Sequence, residues 1–478
     1  GNLHNGHIKL ISTAKHDNSN INLVSIFINP LQFDNKSDLQ NYPKTIENDI
    51  KISFANGADI IFIPSYEDIY PPNNKNIKFL KAPIELSSAL CGLNRVGHFD
   101  GVCTVVYRLL NLIKPKNLYL GEKDWQQLLI LKNLIDEKEL NIKIISIPTQ
   151  RDSDGIPFSS RNKLLSKSER KIVQLFSYEL SHAKKKFKKD KKINLNQICK
   201  KLESKNISIE YLEHVHPYNF KKASSKDNIS LLAGAIRCGK TRLIDHVFLM
   251  KRKPIIAIDG PAGSGKSSVT KLIAKQLNLL YLDTGAMYRA LSWFLIKENI
   301  NYENENELNQ ILKKVSIIFK SNSQSHQDVL INNFCVTEEI RSQEITSIVS
   351  KISSIKEIRQ FLVEAQRKIG EEGGLVAEGR DIGTTVFPNA ELKIFLTASI
   401  DERAKRRKSE FEIKGFKEID FNKLRENIKK RDYEDSTREI SPLKKANDAF
   451  EIFTDGYSIN GVVEKIIDIY HEKIPKEI

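Results

Sequence analysis

The sequence predicts an α/β protein of two fused units, each built on a parallel sheet. Short apolar runs alternate with helix-like stretches throughout: "INLVSIFI", "ADIIFIP", "NLYLG" and "IKIISIP" in the first half, "PIIAIDG", "GLVAEG" and "LKIFLTA" in the second. Strands alternating with helices make βαβ units and parallel sheets. The series starts afresh at Pro254, after the basic tripeptide Lys251 to Lys253. At 478 residues the chain is also too long for one ordinary core. The expected organisation is residues 1–250 (1–150 and a smaller part, 151–250) followed by 254–478.

Composition narrows the class. Hydrophobic residues at 40% and charged residues at 28% suit a water-soluble globular chain. No stretch of about 18 uncharged apolar residues offers a membrane span, and the amino end lacks the pattern of a secretory signal. Five cysteines (Cys91, Cys103, Cys199, Cys238, Cys335) are scattered without a CxxC pair, which points to a reducing, cytoplasmic compartment. A net charge of +15 raises nucleic acid as a partner. Lysine outnumbers arginine along the whole chain, however, and the densest run, "KKKFKKDKK" at Lys184 to Lys192, reads as a solvated helix face. Small molecules are the expected partners, with no membrane and no nucleic acid.

The first half opens with "GNLHNGHIKL". His4 and His7 share a face if a helix starts near Gly6, where the helix dipole and free N–H groups favour an anion. Two imidazoles aimed at a phosphate can donate to oxygens that gain charge during attack at the α-phosphorus, and Gly6 is expected to leave room for a nucleotide. "SIFINPLQF" (Ser25 to Phe33), "RVGHFDGVCTVV" (Arg95 to Val106), "LGEKDWQQL" (Leu120 to Leu128) and "FSSRN" (Phe158 to Asn162) follow at strand-to-loop positions, where ligands gather in parallel sheets.

From Gly1 to about residue 248 these motifs resemble pantothenate synthetase (pantoate–β-alanine ligase), an HxGH-type Rossmann-like nucleotidyltransferase ligase. The resemblance implies that ATP and pantoate form pantoyl adenylate, from which β-alanine displaces AMP. It implies that His4 and His7 grip phosphate and that Lys123 neutralises it. Ser159, Ser160 and Arg161 would form a mobile phosphate-binding loop, and Gly121, Glu122 and Asp124 would join Lys123 in binding ATP. Asn29, Gln32 and Gln127 would hold pantoate, with Asp49 a magnesium partner. Arg95 and His98 would orient substrate or serve structure. The family carries a strand and "PTM" ahead of "GNLH", expected to underlie the nucleotide. An alternative expectation is a structural amino half beside an active second half. A homodimer through the first half is also implied.

The second half contains GxxxxGK[ST] between an apolar strand and an amphipathic helix: Gly260, Gly265, Lys266, Ser267. In that context backbone N–H groups cradle phosphate, Lys266 reaches the terminal phosphates and Ser267 can ligate magnesium. Pro261, Ala262, Gly263, Ser264 and Ser268 complete the ATP loop. "LDTGAMYRAL" (Leu282 to Leu291), "EIRSQEIT" (Glu339 to Thr346), "AEGRDIGTTVFPNAELKIFL" (Ala377 to Leu396) and "RDYEDSTREISPL" (Arg431 to Leu443) follow.

These resemble bacterial cytidylate kinase, a P-loop nucleoside monophosphate kinase, which implies transfer of the ATP γ-phosphoryl to CMP or dCMP. By position, Arg289, Arg380 and Arg438 would hold the CMP phosphate; Ser350, Arg359 and Asp381 the base; Arg431 and Asp435 the ribose. Thr284 keeps a hydroxyl where the family often has serine. "SIIFKSNSQSHQDVLINNFCV" is similar to the family's strand insertion, and "DERAKRRKSEF" to its lid, with Arg403, Arg406 or Arg407 reaching the moving phosphoryl. ATP with magnesium is the expected cosubstrate of both halves, with no tightly bound organic cofactor. Together the halves resemble the fused pantoate ligase/cytidylate kinases of cyanobacteria.

Overall fold

Each quoted apolar run contains a strand. The computed structural model describes residues 2–478 apart from 18–20, 34–38, 41, 73–78, 206, 322–326, 414 and 416–419. The chain divides into Gly1–Lys251 with Pro475–Ile478, and Arg252–Ile474. Residues 475–478 thus pack with the first unit, whereas the sequence organisation ran the second unit to 478.

In the first unit, Leu23–Ser25 pairs in parallel with Ile60–Phe62, and Asn117–Gly121 with Lys143–Ile147. Helices Asn5–His16, His98–Ile113 and Trp125–Glu137 accompany them. Phe99, Val102 and Cys103 recur at helical spacing and are buried against Ile130, Leu131 and Leu134. Beyond residue 160 the architecture changes. Helix Lys167–Asp190 begins at a capping box of Ser166 and Glu169. Its stripe Val173, Phe176, Leu180, Ala183 and Phe187 packs on Leu232, Ile236, Leu243 and Val247. Those residues belong to an antiparallel sheet of Ser208–Val215, Ile229–Cys238 and Thr241–Met250. The lysine run is largely the end of this helix, with Phe187 buried beneath it.

The second unit is a five-stranded parallel sheet in the order Phe450–Phe453, Leu392–Thr397, Ile255–Asp259, Leu375–Gly379, Leu280–Asp283. The first strand in sequence therefore lies between the third and fourth, and the loop that leaves it opens at the sheet's switch point. Alternation along Ile255–Asp259 sends Ile256 and Ile258 to one buried layer and Ile255 and Ala257 to the other. Helices Lys266–Gln276 and Ile459–Lys473 cover the first layer; Thr284–Lys297 and Lys356–Ile369 cover the second. The strand insertion is an antiparallel set, Ile317–Ser321, Gln327–Ile331 and Phe334–Cys335, though part of its quoted stretch lies outside the described residues. Among the described residues no helix is long and apolar enough to cross a membrane.

Candidate active sites

Helix Asn5–His16 is capped by the two histidines of the opening motif. His4 is the N-cap, and its Nδ1 accepts the Gly6 N–H at 3.2 Å; His7 Nδ1 accepts the His4 N–H at 3.3 Å. A ring nitrogen that accepts leaves the proton on the other one. Both rings thus carry an Nε2–H donor, and both line a cleft of about 370 Å³. Gly6 also serves the cap, since a Cβ there would lie 2.9 Å from His4 Cε1. Burial, then the nearby His7 and Lys123, brings the His4 pKa down to about 3, and burial brings His7 down to about 4.

Both imidazoles are therefore neutral donors near neutral pH. Because kcat/KM reports the free enzyme, its pH profile for ATP in the AMP-forming reaction is expected to show no acid limb near pH 6.5. A limb there that His7→Asn removes would contradict the neutral pair. The linkage sign follows from the same depression. The unfolded chain takes up protons at these groups below pH 6.5 and the folded one not until pH 3–4, so stability falls as acid crosses that window.

Lys123, Asp124, Gln127, Gln32, Ser159 and Arg161 line the same cleft. Three expected ligands do not. Glu122 is 0% exposed and directs its carboxylate to Ser146 Oγ, Lys476 N and Glu477 N instead of to ATP. Asn29 is 2% exposed: its Oδ1 accepts from Tyr70 Oη (3.0 Å) and Leu31 N (3.3 Å), and its Nδ2 donates to Gly101 O (3.0 Å). It fixes the turn Pro30–Gln32 that carries Gln32. Asp49 is fully buried and accepts from Asn2 N and Leu3 N, both at 2.7 Å, and from Thr45 Oγ1 at 3.0 Å. Its carboxylate anchors the opening loop, a different task from the magnesium contact expected of it. Ser160 lines the cleft but also donates to Asn2 O at 3.0 Å, tying the Ser159–Arg161 loop to that same segment. His98 and Arg95 meet at 3.0 Å and both bond Gln32 O, at 2.7 and 3.0 Å, which steadies Gln32.

The far wall had no sequence signal. Tyr211, Arg242, Asp245 and His246 reach the cleft from the antiparallel sheet. Arg151 binds the Asp245 carboxylate with both terminal nitrogens, at 2.8 and 2.9 Å, and holds that wall in place.

In the second unit Gly260 turns at φ 153°, where a Cβ would meet Leu396 O at 2.0 Å. Lys266 Nζ donates to Pro261 O at 2.6 Å beneath the loop. Burial, then the neighbouring Arg380, pushes the Lys266 ammonium well below its usual value, with Glu378 and Asp259 opposing. Asp259, pushed up to about 6 by burial, accepts from Ile382 N and Gly383 N, both at 2.7 Å, and so pins the "EGRDIG" loop to the P-loop strand. Thr284 spends its hydroxyl on Glu378 O at 2.7 Å.

The residues expected to bind CMP form a connected charge network. Arg380 Nε donates to Asp435 Oδ2 at 2.8 Å, Arg359 bonds Asp381, and Arg438 lies 3.9 Å from both acids. Arg289 pairs with Asp283 at 3.0 Å. Ser350 lies half-buried on helix Gln343–Ser354. Burial, then Arg380, lowers the Arg431 guanidinium, and Arg407 and Arg289 add to the effect. Arg380 and Arg289 are already paired with Asp435 and Asp283, whereas Arg431 Nε has no hydrogen-bond partner among the described residues, which leaves that guanidinium for an anion. Arg431→Ala is accordingly expected to raise the KM for CMP by roughly 10- to 100-fold, as loss of a charged hydrogen bond does; an unchanged KM would contradict this. Of the lid arginines, Arg407 pairs with Glu410 at 2.8 Å and adds to the field that lowers Arg431. Arg403 is buried in a two-pronged bond to Asp432 and donates to Ala262 O at 3.2 Å, so it backs the P-loop. Arg406 donates to Glu402 and Thr454. Glu378, unforeseen as a site residue, faces the Ser267 hydroxyl and Asp283.

Comparison with known proteins finds relatives for both halves. Residues 1–248 match the family model Pantoate-beta-alanine ligase, and 256–472 match Cytidylate kinase. A bifunctional pantoate ligase/cytidylate kinase of Prochlorococcus marinus strain MIT 9215 is 79% identical over 100% of this chain and 94% of its own length. Its counterpart in strain NATL1A is 50% identical over 100% of this chain and 93% of its own. A crystal structure of pantoate-beta-alanine ligase from Francisella tularensis is 39% identical over 52% of this chain and 87% of that one, with a TM-score of 0.45. Both halves match through the full-length relatives, which does not favour a merely structural amino half. The chain belongs to the bifunctional pantoate ligase/cytidylate kinase family.

Proposed function

We propose that the first unit joins pantoate to β-alanine through pantoyl adenylate, releasing diphosphate and then AMP, and that the second transfers the ATP γ-phosphoryl to CMP or dCMP. The observation that carries this reading is the contrast between the two phosphate grips. A pair of neutral Nε2–H donors at a helix start suits charge growing on oxygens around the α-phosphorus. A lysine under a glycine loop, with arginines converging beyond it, suits charge growing at the γ end. Binding energy counts toward rate only where charge develops in the transition state, so one grip cannot readily serve both bonds.

In the first site the pantoate carboxylate is itself the nucleophile. Gln32 and Gln127 orient it, and His4, His7 and Lys123 meet the phosphates. Asp124 takes the ribose, and the Ser159–Arg161 loop closes over the phosphates. Proximity then supplies much of the rate. In the second site Arg289, Arg380 and Arg438 hold the CMP phosphate, Arg431 and Asp435 lie at the ribose side of the same network, and Arg359, Asp381 and Ser350 read cytosine. Arg407 reaches from the lid.

Magnesium suits the second site. Ser267 would hold it, with Glu378 and Asp283 nearby; Glu378 Oε2 is buried without a hydrogen-bond partner, and burial followed by Asp283 raises its carboxyl. When bound, the ion neutralises charge on the β- and γ-phosphates. Five free cysteines suit a cytoplasmic setting. A homodimer through the first unit is supported by the exposed Phe79, Ile84, Leu93 and Val96.

The test incubates the protein with ATP and each acceptor set separately, then resolves AMP from ADP. Pantoate with β-alanine is expected to yield AMP, and CMP to yield ADP. ADP alone under both conditions would overturn the ligase assignment.

A further inference from the structure

We infer that residues 475–478 act as a positioning strap for the ATP cleft of the first unit; the inference rests on the ligase reading of that unit. The segment follows helix Ile459–Lys473 in sequence, yet it packs within the first unit. Its principal anchor is Glu122, which is 0% exposed and lies between Gly121 and Lys123, both lining the cleft. A buried carboxylate needs donors. Glu122 has three: Ser146 Oγ to Oε1 at 2.9 Å, Lys476 N to Oε1 at 2.9 Å, and Glu477 N to Oε2 at 3.2 Å. Two of the three come from the strap.

A second wall is held as well. Glu477 Oε1 accepts the Thr149 N–H at 2.8 Å, and Thr149 lines the cleft just beyond strand Lys143–Ile147. Lys184 Nζ approaches Glu477 O at 3.4 Å. Ile478 packs with the cluster of Trp125, Leu128, Leu129 and Phe248, and Trp125 also lines the cleft. One short segment thus pins the Gly121–Asp124 turn and the Pro148–Gln150 loop from behind. Without it, Glu122 keeps one protein donor and opens to water, and the turn loses the backing that holds its position. Lys123 and Asp124 move with it, and the grip on ATP loosens in ground state and transition state alike. Such a loss of uniform binding appears in KM rather than kcat.

The experiment compares the full chain with a chain ending at Ile474, using CMP-dependent ADP formation as internal control. For the shortened chain the KM for ATP in AMP formation is expected to rise roughly 10-fold, with kcat within about 3-fold and ADP formation unchanged. Glu477→Ala should give part of the rise, and Glu477→Gln, whose amide oxygen still accepts from Thr149, should restore the full-chain value. Amide hydrogen exchange at residues 120–126 and 148–151 is expected to quicken in the shortened chain. An unchanged KM, a fall in kcat alone, or a parallel fall of both products would overturn the strap. Unchanged exchange would overturn it even if the full chain formed no AMP, an outcome that separately refutes the ligase reading.

Discussion

Lys266→Ala is expected to lower CMP-dependent ADP formation on the order of 10³-fold, about 4 kcal/mol of barrier, and to leave pantoate-dependent AMP formation within about twofold. The ammonium is buried beneath its loop, 2.6 Å from Pro261 O. Burial and Arg380 make its charge costly, and in the proposed role a triphosphate offsets that cost, the more so as the γ-phosphoryl leaves. Alanine removes the charge and leaves the loop backbone in place. Lys266→Arg is expected to rescue poorly, because a planar fork does not fit where a compact ammonium sits. The measurement is steady-state kinetics of both reactions on one preparation. A loss of less than tenfold in ADP formation would contradict the role.

His7→Ala is expected to do the converse, lowering AMP formation by roughly 10²- to 10³-fold, the range for removing one preorganised donor, and sparing ADP formation. His7 has two tasks that this variant confounds. Its Nδ1 accepts the His4 N–H in the helix cap, and its Nε2–H faces the cleft. Loss of a cap costs about 0.5–2 kcal/mol of stability, visible as a lower melting temperature. His7→Asn separates the tasks, since an amide oxygen can accept the cap bond while the Nε2 donor is gone. Activity should fall as far as in His7→Ala, with most of the melting temperature recovered. If His7→Asn keeps more than a fifth of the full AMP-forming rate, the donor role is contradicted.

The parts legible in the sequence were those fixed by local spacing. The strand–loop–helix around Lys266 needs its glycines at set intervals, so its geometry follows from the string itself. Parallel strands buried on both faces read as apolar runs, and Ile255–Asp259, Leu375–Gly379 and Leu392–Thr397 appear where those runs stand. Burial set by distant residues was not legible. Asn29 and Asp49 look like ligands in the string, but Tyr70, Gly101, Asn2 and Leu3 absorb their polar atoms. Arg403 and Arg407 are indistinguishable on one helix until Asp432 claims the first and Glu410 the second. The edge strand Phe450–Phe453 and the antiparallel sheet behind the ligase cleft carry no motif. Arg242 and His246 therefore reach the site without local warning, and the association of residues 475–478 with Glu122 is non-local in the same way.

The proposed function requires two ATP sites, one in each unit. The most direct measurement is equilibrium dialysis of a non-hydrolysable ATP analogue against the full chain at saturation. Two analogue molecules per chain are predicted, one lost in Lys266→Ala and the other weakened in His7→Ala. A single molecule per chain, abolished by either substitution, would contradict the account.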